Sequence, residues 1–357
     1  MSYYILPKNI NTINVNPISS NIECKPYISY SFLTYYLEIK EQIVEMFASD
    51  VDISNNAFEE AIKIINPYEF IFSKVPGSKF SVSKLKPTSN LFYDLFEILN
   101  NLNFFDNFKS QPIKSLHVTK NYNDSVECYE MFREGCEDEI ITLNDINVDN
   151  NLCENAFEYM FFETLSSNGR AYFTSLINVV ITILKSQKCN GNSIIKIREA
   201  HYKPVLDCIY LLSSLFDKVY IAKPNTNNVT SLDRYIVCKS FKYNENYRSY
   251  LKLNAIKLVV FLKKLEDKCI IDILGFDVPY YFKNKIDDIN IIIGQQQIEA
   301  LDQIICIFKN KNKNDKIESI KKSNIQKSVS WCEKYKIPCN KFTEKINIFL
   351  PIINETV

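Results

Sequence analysis

The sequence predicts an α/β protein, with a sheet covered by helices on both faces, helices in front of it and a helical extension behind it. Two observations carry that prediction. Short apolar or β-branched runs at 115–118, 139–143, 193–197, 218–222 and 234–238 alternate with segments at 125–133, 170–186 and 203–216 whose apolar residues recur at helical spacing. Strands alternating with helices place helices on the faces of a sheet. The composition agrees: 46% hydrophobic residues, with 22 Tyr and 24 Phe, can fill a sizeable core in 357 residues.

The elements follow in order. Residues 1–25 have no period and contain Pro7 and Pro17, so they read as an extended arm. Residues 29–48 carry apolar side chains at helical spacing without Gly or Pro, and 56–65 do the same until Pro67 stops them. Pro76-Gly77 and Pro87 mark 73–89 as a loop or irregular hairpin. A third helix spans 89–103, and the strand–helix alternation then runs to residue 238. Further helices are expected at 245–268, 278–310 and 325–335, with the charged run 309–322 looping out as a solvated linker. The division is 1–88 for the arm and first helices, 89–241 for the α/β domain, and 242–357 for the helical extension.

Charge and residue usage exclude several functions. With 42 basic and 42 acidic residues the chain is neutral, so any nucleic-acid contact must come from a local patch. The 11 cysteines are odd in number and form no CxxC pair, which reads as reduced core thiols. The two histidines, His117 and His201, do not stand at zinc-ligand spacing. No secretory leader opens the chain and no apolar run reaches membrane-span length, so a cytoplasmic protein is expected, with no membrane partner. Trp331 sits on a helix face and reads as core, and the basic and aromatic stretch 242–248 as solvated surface.

The informative stretch is 191–241: strand, helix, strand, polar loop, strand. Lys196 ends the first strand among Ile194, Ile195 and Ile197. Ligands of open α/β sheets collect at such strand ends, and a desolvated lysine there is a candidate general base. Then come Lys223-Pro224, Ser231, Asp233, Tyr235 and Val237. This order resembles the FtsJ family of ribose 2′-O-methyltransferases, over roughly 90–241. The resemblance implies a reduced Rossmann-like methyltransferase sheet and S-adenosylmethionine as cofactor. It also implies a Lys-Asp-Lys-Glu set in which the central lysine deprotonates the ribose hydroxyl. Lys196 matches that lysine, and Asp233 stands where the family has Glu. Asp94, in Phe92-Tyr93-Asp94-Leu95, replaces the first lysine with the opposite charge. Asp145, after the strand at 139–143, is the loosely matched family Asp. Residues 116–124 match the Gly-rich cofactor turn yet contain no glycine; Thr119, Asn121, Asn123 and Asp124 stand in it. A Cβ there obstructs close backbone approach, and Asp124 would repel the cofactor carboxylate. Only about twenty residues separate Asp124 from Asp145, which leaves room for one helix and one strand.

Three functions follow as expectations. The first is a pseudoenzyme without bound S-adenosylmethionine, acting as a binding or regulatory subunit of an mRNA-capping or transcription complex. Its degeneration is similar to that of the small subunit of the poxvirus mRNA capping enzyme. The C-terminal helices, with Pro279 and Gln295 to Glu299, resemble FtsJ-like proteins of large DNA viruses, which implies the host cytoplasm or the virion. The second is an active cap 2′-O-methyltransferase on capped RNA, with Lys196 as base and Asp145 and Asp233 as its partners. The third is a structural or virion protein that reuses the fold.

Overall fold

The structure, a computed structural model, describes residues 2–49, 57–109, 111–147, 152–164, 169–242, 245–309 and 314–340. The arm is extended and paired: β1 (Ser2–Ile5) runs antiparallel to β7 (Phe216–Lys223), and β2 (Ile18–Ser20) pairs with β9 (Cys269–Asp272). Helices α1 (Tyr30–Ser49) and α2 (Ala57–Ile65) follow, then the loop that leads to α3 (Leu91–Asn101). The alternating part is β3 (Lys114–Val118), α4 (Tyr122–Phe132), β4 (Glu139–Leu143), β5 (Phe157–Glu163), α5 (Gly169–Ser186), β6 (Gln187–Ile197), α6 (Lys203–Leu215), β7 and β8 (Arg234–Phe241). Helices α7 (Glu245–Lys263), α8 (Tyr280–Lys309) and α9 (Asn314–Lys334) complete the described chain. Among the described residues no helix is long and apolar enough to cross a membrane.

The main sheet has the order β1-β7-β8-β6-β5-β3-β4. Strands β4, β3, β5 and β6 are parallel neighbours, and β8 runs antiparallel between β6 and β7. This is a Rossmann-like doubly wound sheet, reduced as the sequence predicts: β4 is its edge, and no described strand lies beyond it. The chain winds one way from β3 to β4 and the other way from β3 to β5. The carboxyl ends of β3 and β5 therefore flank the crevice where such sheets bind ligands.

Side-chain alternation splits the core between the two faces. Leu116, Val118, Met160, Phe162, Ile195 and Ile236 face the layer of α5, α6 and α7. Tyr159, Phe161, Ile194, Tyr235 and Val237 face α3, α4 and α9, with Trp331 packed on Tyr93 and Phe96. A third cluster joins α1, α2 and α8 through Tyr36, Ile43, Leu301 and Ile304.

Three elements depart from the sequence reading. Strand β5 was not expected. Its run Phe-Glu-Tyr-Met-Phe-Phe is buried on both faces, so it shows no alternation, and no Gly or Pro bounds it. Strand β9 lies at 269–272, where no element was expected, and the helix expected to reach 268 stops at Lys263, after which Glu266 turns the chain with a positive φ of 45°. The charged run read as a linker is helical from Asn314, where α9 begins; residues 310–313 lie outside the described set. Its charged face is exposed while Asn324, Ile325 and Ser328 are buried.

One buried acid sets a pH dependence in this frame. Asp207 on α6 is inaccessible, accepts from Ile273 N at 2.9 Å and meets Lys203 at 3.0 Å, while Lys203 also meets Asp272 at 3.1 Å. Burial pushes Asp207 up to about 7, with the adjacent Asp272 adding to the rise. A folded-state value above that of the unfolded chain favours folding while the acid is protonated, and that contribution is lost as pH rises through about 7. Stability is expected to fall by on the order of 2–4 kcal/mol between about pH 5 and 8. Urea denaturation across that range checks it: Asp207→Asn should flatten the slope, and an already flat wild-type profile would contradict the assignment.

Candidate active site at the carboxyl edge of the sheet

The antiparallel insertion of β8 builds the site. Its first residues enter the sheet where β6 and β7 leave it, and the register sets Lys196 opposite Tyr235 and Ile197 opposite Arg234. Asp233, one residue before β8, thus meets the end of β6. Parallel pairing of β5 with β6 puts Glu163 opposite Lys196. Lys196 Nζ donates to Glu163 Oε1 at 2.7 Å and lies 4.0 Å from Asp233 Oδ2. The other Glu163 oxygen accepts from Thr119 Oγ1 at 2.7 Å, so one carboxylate joins the ends of β3, β5 and β6.

The acid beside Lys196 is therefore Glu163 rather than Asp145. Asp145 is exposed in the loop after the edge strand β4, and its Oδ1 accepts from Ile146 N at 2.8 Å. Glu163 ends the strand that lacked a sequence signature. The available signal was a continuous apolar run closing on an acid, at the distance from the Lys196 strand that a helix fills.

Asp94, which the sequence reading set against a lysine of the resembled family, is held rigidly. It accepts from Thr226 Oγ1 at 2.6 Å, Asn227 Nδ2 at 2.7 Å and Tyr235 OH at 2.8 Å. Glu97, one turn along α3, accepts from Asn225 N at 3.0 Å. Helix α3 thus clamps the loop that follows Lys223-Pro224. Burial raises the Asp94 carboxyl above its usual range, against the pull of these donors and of Lys196.

The two lysines are shifted in opposite directions. Burial alone would lower Lys196, but Glu163, Asp233 and Asp94 outweigh it and raise it above the ordinary lysine value. Lys223 is enclosed; burial pushes it down to about 7, with Arg234 and Lys196 adding to the fall and Asp233 opposing it. Its Nζ donates to Asn227 Oδ1, Ser231 O and Asp233 O at 2.6 to 2.7 Å, so every N–H has an acceptor.

The turn between β3 and α4 is short and made of side-chain-bearing residues. Thr119 is buried, Lys120 is exposed, and Asn121 precedes the helix with φ −115°. Asn123 and Asp124 already lie in the first turn of α4. No residue from Thr119 to Asp124 has a positive φ. Asp124 is fully buried: it accepts from Thr88 N at 2.7 Å, Thr88 Oγ1 at 2.8 Å and Ser89 Oγ. It thereby ties α4 to the segment before α3 and spends its oxygens inside the protein. The turn offers neither the missing Cβ nor the left-handed backbone by which a glycine loop admits a cofactor. The histidines lie elsewhere: His117 and His201 are buried beside aromatic rings, and burial pushes each down to about 3.

No protein-family profile matches the chain, and no curated protein does. Solved structures are similar to parts of it. A Plasmodium falciparum protein provisionally described as a ribosomal RNA methyltransferase is 12% identical, with a TM-score of 0.33, over 43% of this chain and 97% of that one. A Streptococcus thermophilus protein provisionally described as a hemolysin is 11% identical, with a TM-score of 0.29, over 52% of this chain and 78% of that one. A Pyrococcus horikoshii protein is 12% identical, with a TM-score of 0.24, over 43% and 93%. The fold assignment rests on the strand order and register described above.

Proposed function

We propose that this chain is an FtsJ-like ribose 2′-O-methyltransferase-type protein that has lost methyl transfer and serves as a binding or regulatory subunit in an mRNA-capping or transcription assembly. The observation that carries the reading is the electrostatic setting of Lys196. A general base must be neutral at the working pH for a useful fraction of the time. Lys196 is surrounded by Glu163, Asp233 and Asp94, which hold it protonated. A lysine in place of Asp94 would act in the opposite direction. Lys223 has the lowered value that a base needs, but its N–H groups are directed at internal acceptors. The β3–α4 turn supports the same conclusion, because its residues do not fit S-adenosylmethionine in the family manner.

The second reading, an active cap 2′-O-methyltransferase, is favoured by one specific observation: Lys196, Glu163 and Asp233 still converge at the carboxyl edge. Transfer of a labelled methyl group to capped RNA separates the two. We expect none above background under conditions that serve a control methyltransferase. Transfer that disappears in Lys196→Ala would replace the first reading with the second. The subunit role predicts a stable complex with a capping or transcription protein in the protein's own source, and a chain purified from that source without a partner would count against it.

A further inference from the structure

The loop between α2 and α3 forms a basic, aromatic groove apart from the Lys196 site. The groove encloses a cavity of about 420 Å³. Phe72, Phe80, Lys74, Lys79, Lys84 and Lys86 line it, and no Asp or Glu does. Phe72 is 36% and Phe80 57% exposed, and the four lysines are exposed as well. The carboxylate in the preceding turn, Glu69, is engaged by Ser73 Oγ and by Asn66 Nδ2 at 3.3 Å. In a neutral chain this is a local concentration of positive charge.

The groove is preformed. Val82 N donates to Phe70 O, Lys84 N to Pro338 O and Asn340 N to Val82 O, each at 2.8 Å. A β-bridge joins Ser83 to Cys339. Exposed Phe80 is held by a tight turn: Ser78 N donates to Val75 O at 2.9 Å, Val75 N to Phe80 O at 3.0 Å, and Gly77 supplies a positive φ of 75°.

We infer that this groove binds single-stranded nucleic acid, its lysines on the phosphates and Phe80 and Phe72 under the bases. Rings stack with any base, and lysines neutralise the backbone without reading sequence. A folded apolar partner would want the charges absent, and a duplex would not expose its base faces to the rings. Pro87 lines the groove and directly precedes Thr88, which Asp124 anchors at the carboxyl side of β3. The groove therefore adjoins the segment tied to the carboxyl edge of the sheet. The inference deepens the capping-subunit reading by naming its nucleic-acid contact. It is tested separately, because cofactor binding and partner isolation do not depend on it.

The experiment is fluorescence anisotropy of labelled U12 RNA and dT12 DNA with the full chain between 50 and 200 mM salt. Both should bind, since neither rings nor lysines require a 2′-hydroxyl. Phe80→Ala should weaken binding about 10-fold. The triple variant Lys79→Ala, Lys84→Ala, Lys86→Ala should reduce the slope of log affinity against log salt by about 2. Lys264→Ala, on the α7 side, should change neither. All these side chains are exposed, and circular dichroism would verify the fold. Absence of binding at 50 mM salt would overturn the inference, as would binding that the groove variants leave unchanged. Displacement of the oligonucleotides by polyglutamate at equal charge would also overturn it, by showing a general polyanion surface.

Discussion

Asp138→Ala is expected to lower folding stability by about 3–5 kcal/mol, because it strands a buried guanidinium. Arg133 and Asp138 have side chains only 2% and 4% exposed. They meet in a paired geometry: Nε to Oδ2 at 2.7 Å and Nη2 to Oδ1 at 2.9 Å. Arg133 also donates to Phe108 O at 2.5 Å and Gln111 O at 2.7 Å, while Asp138 accepts from Tyr129 OH at 2.6 Å and Ile113 N at 2.9 Å. One pair thus pins the end of α4, the approach to β3 and the approach to β4. Burial raises the Asp138 carboxyl, but Arg133, Tyr129 and the Ile113 N–H together hold it below the usual carboxylate value. A folded-state value below the unfolded one means stability present above about pH 4 and lost as pH falls through the lowered value. Urea denaturation at pH 7 gives the mutational cost directly. A loss under about 1 kcal/mol would show that the pair contributes little beyond a surface ion pair.

Lys196→Met should destabilise the chain by about 2–3 kcal/mol, somewhat less than a fully buried pair because Lys196 and Glu163 are 19% and 17% exposed. The reason is the same one that argues against catalysis. Lys196 is the positive charge between Glu163 and Asp233, and without it these two carboxylates lose their counter-ion. Adding Glu163→Gln to Lys196→Met should recover part of the loss, a coupling that a double-mutant cycle measures. In a working enzyme the expectation reverses, since strained catalytic groups are often stabilised by removal. A neutral or stabilising Lys196→Met would therefore weigh against the account.

Much of the sheet was legible because its motif-bearing part is local. Lys196, Lys223, Asp233 and Tyr235 lie within one strand–helix–strand–loop–strand run, and the structure brings them to one edge. Asp94 was legible through the helix pattern around it. Glu163 was not, because a strand buried on both faces loses the alternation that marks strands, and Asp145 was the acid left in view. The basic groove was hidden for another reason. Lys74, Lys79, Lys84 and Lys86 read as an ordinary loop until Pro338 and Asn340, far along the chain, fix its shape. Helix α9 shows the converse: a charged run can be helical when one face is buried and a residue such as Asn324, donating to Ile64 O at 2.7 Å, anchors it.

We propose that the carboxyl edge keeps the layout of the resembled methyltransferases but not their cofactor cradle. Isothermal titration of the purified chain with S-adenosylmethionine and S-adenosylhomocysteine tests it most directly. The account predicts no binding heat up to millimolar ligand, because the turn from Thr119 to Asp124 has neither glycine nor positive φ and Asp124 is spent on Thr88 and Ser89. Binding at micromolar strength would contradict it.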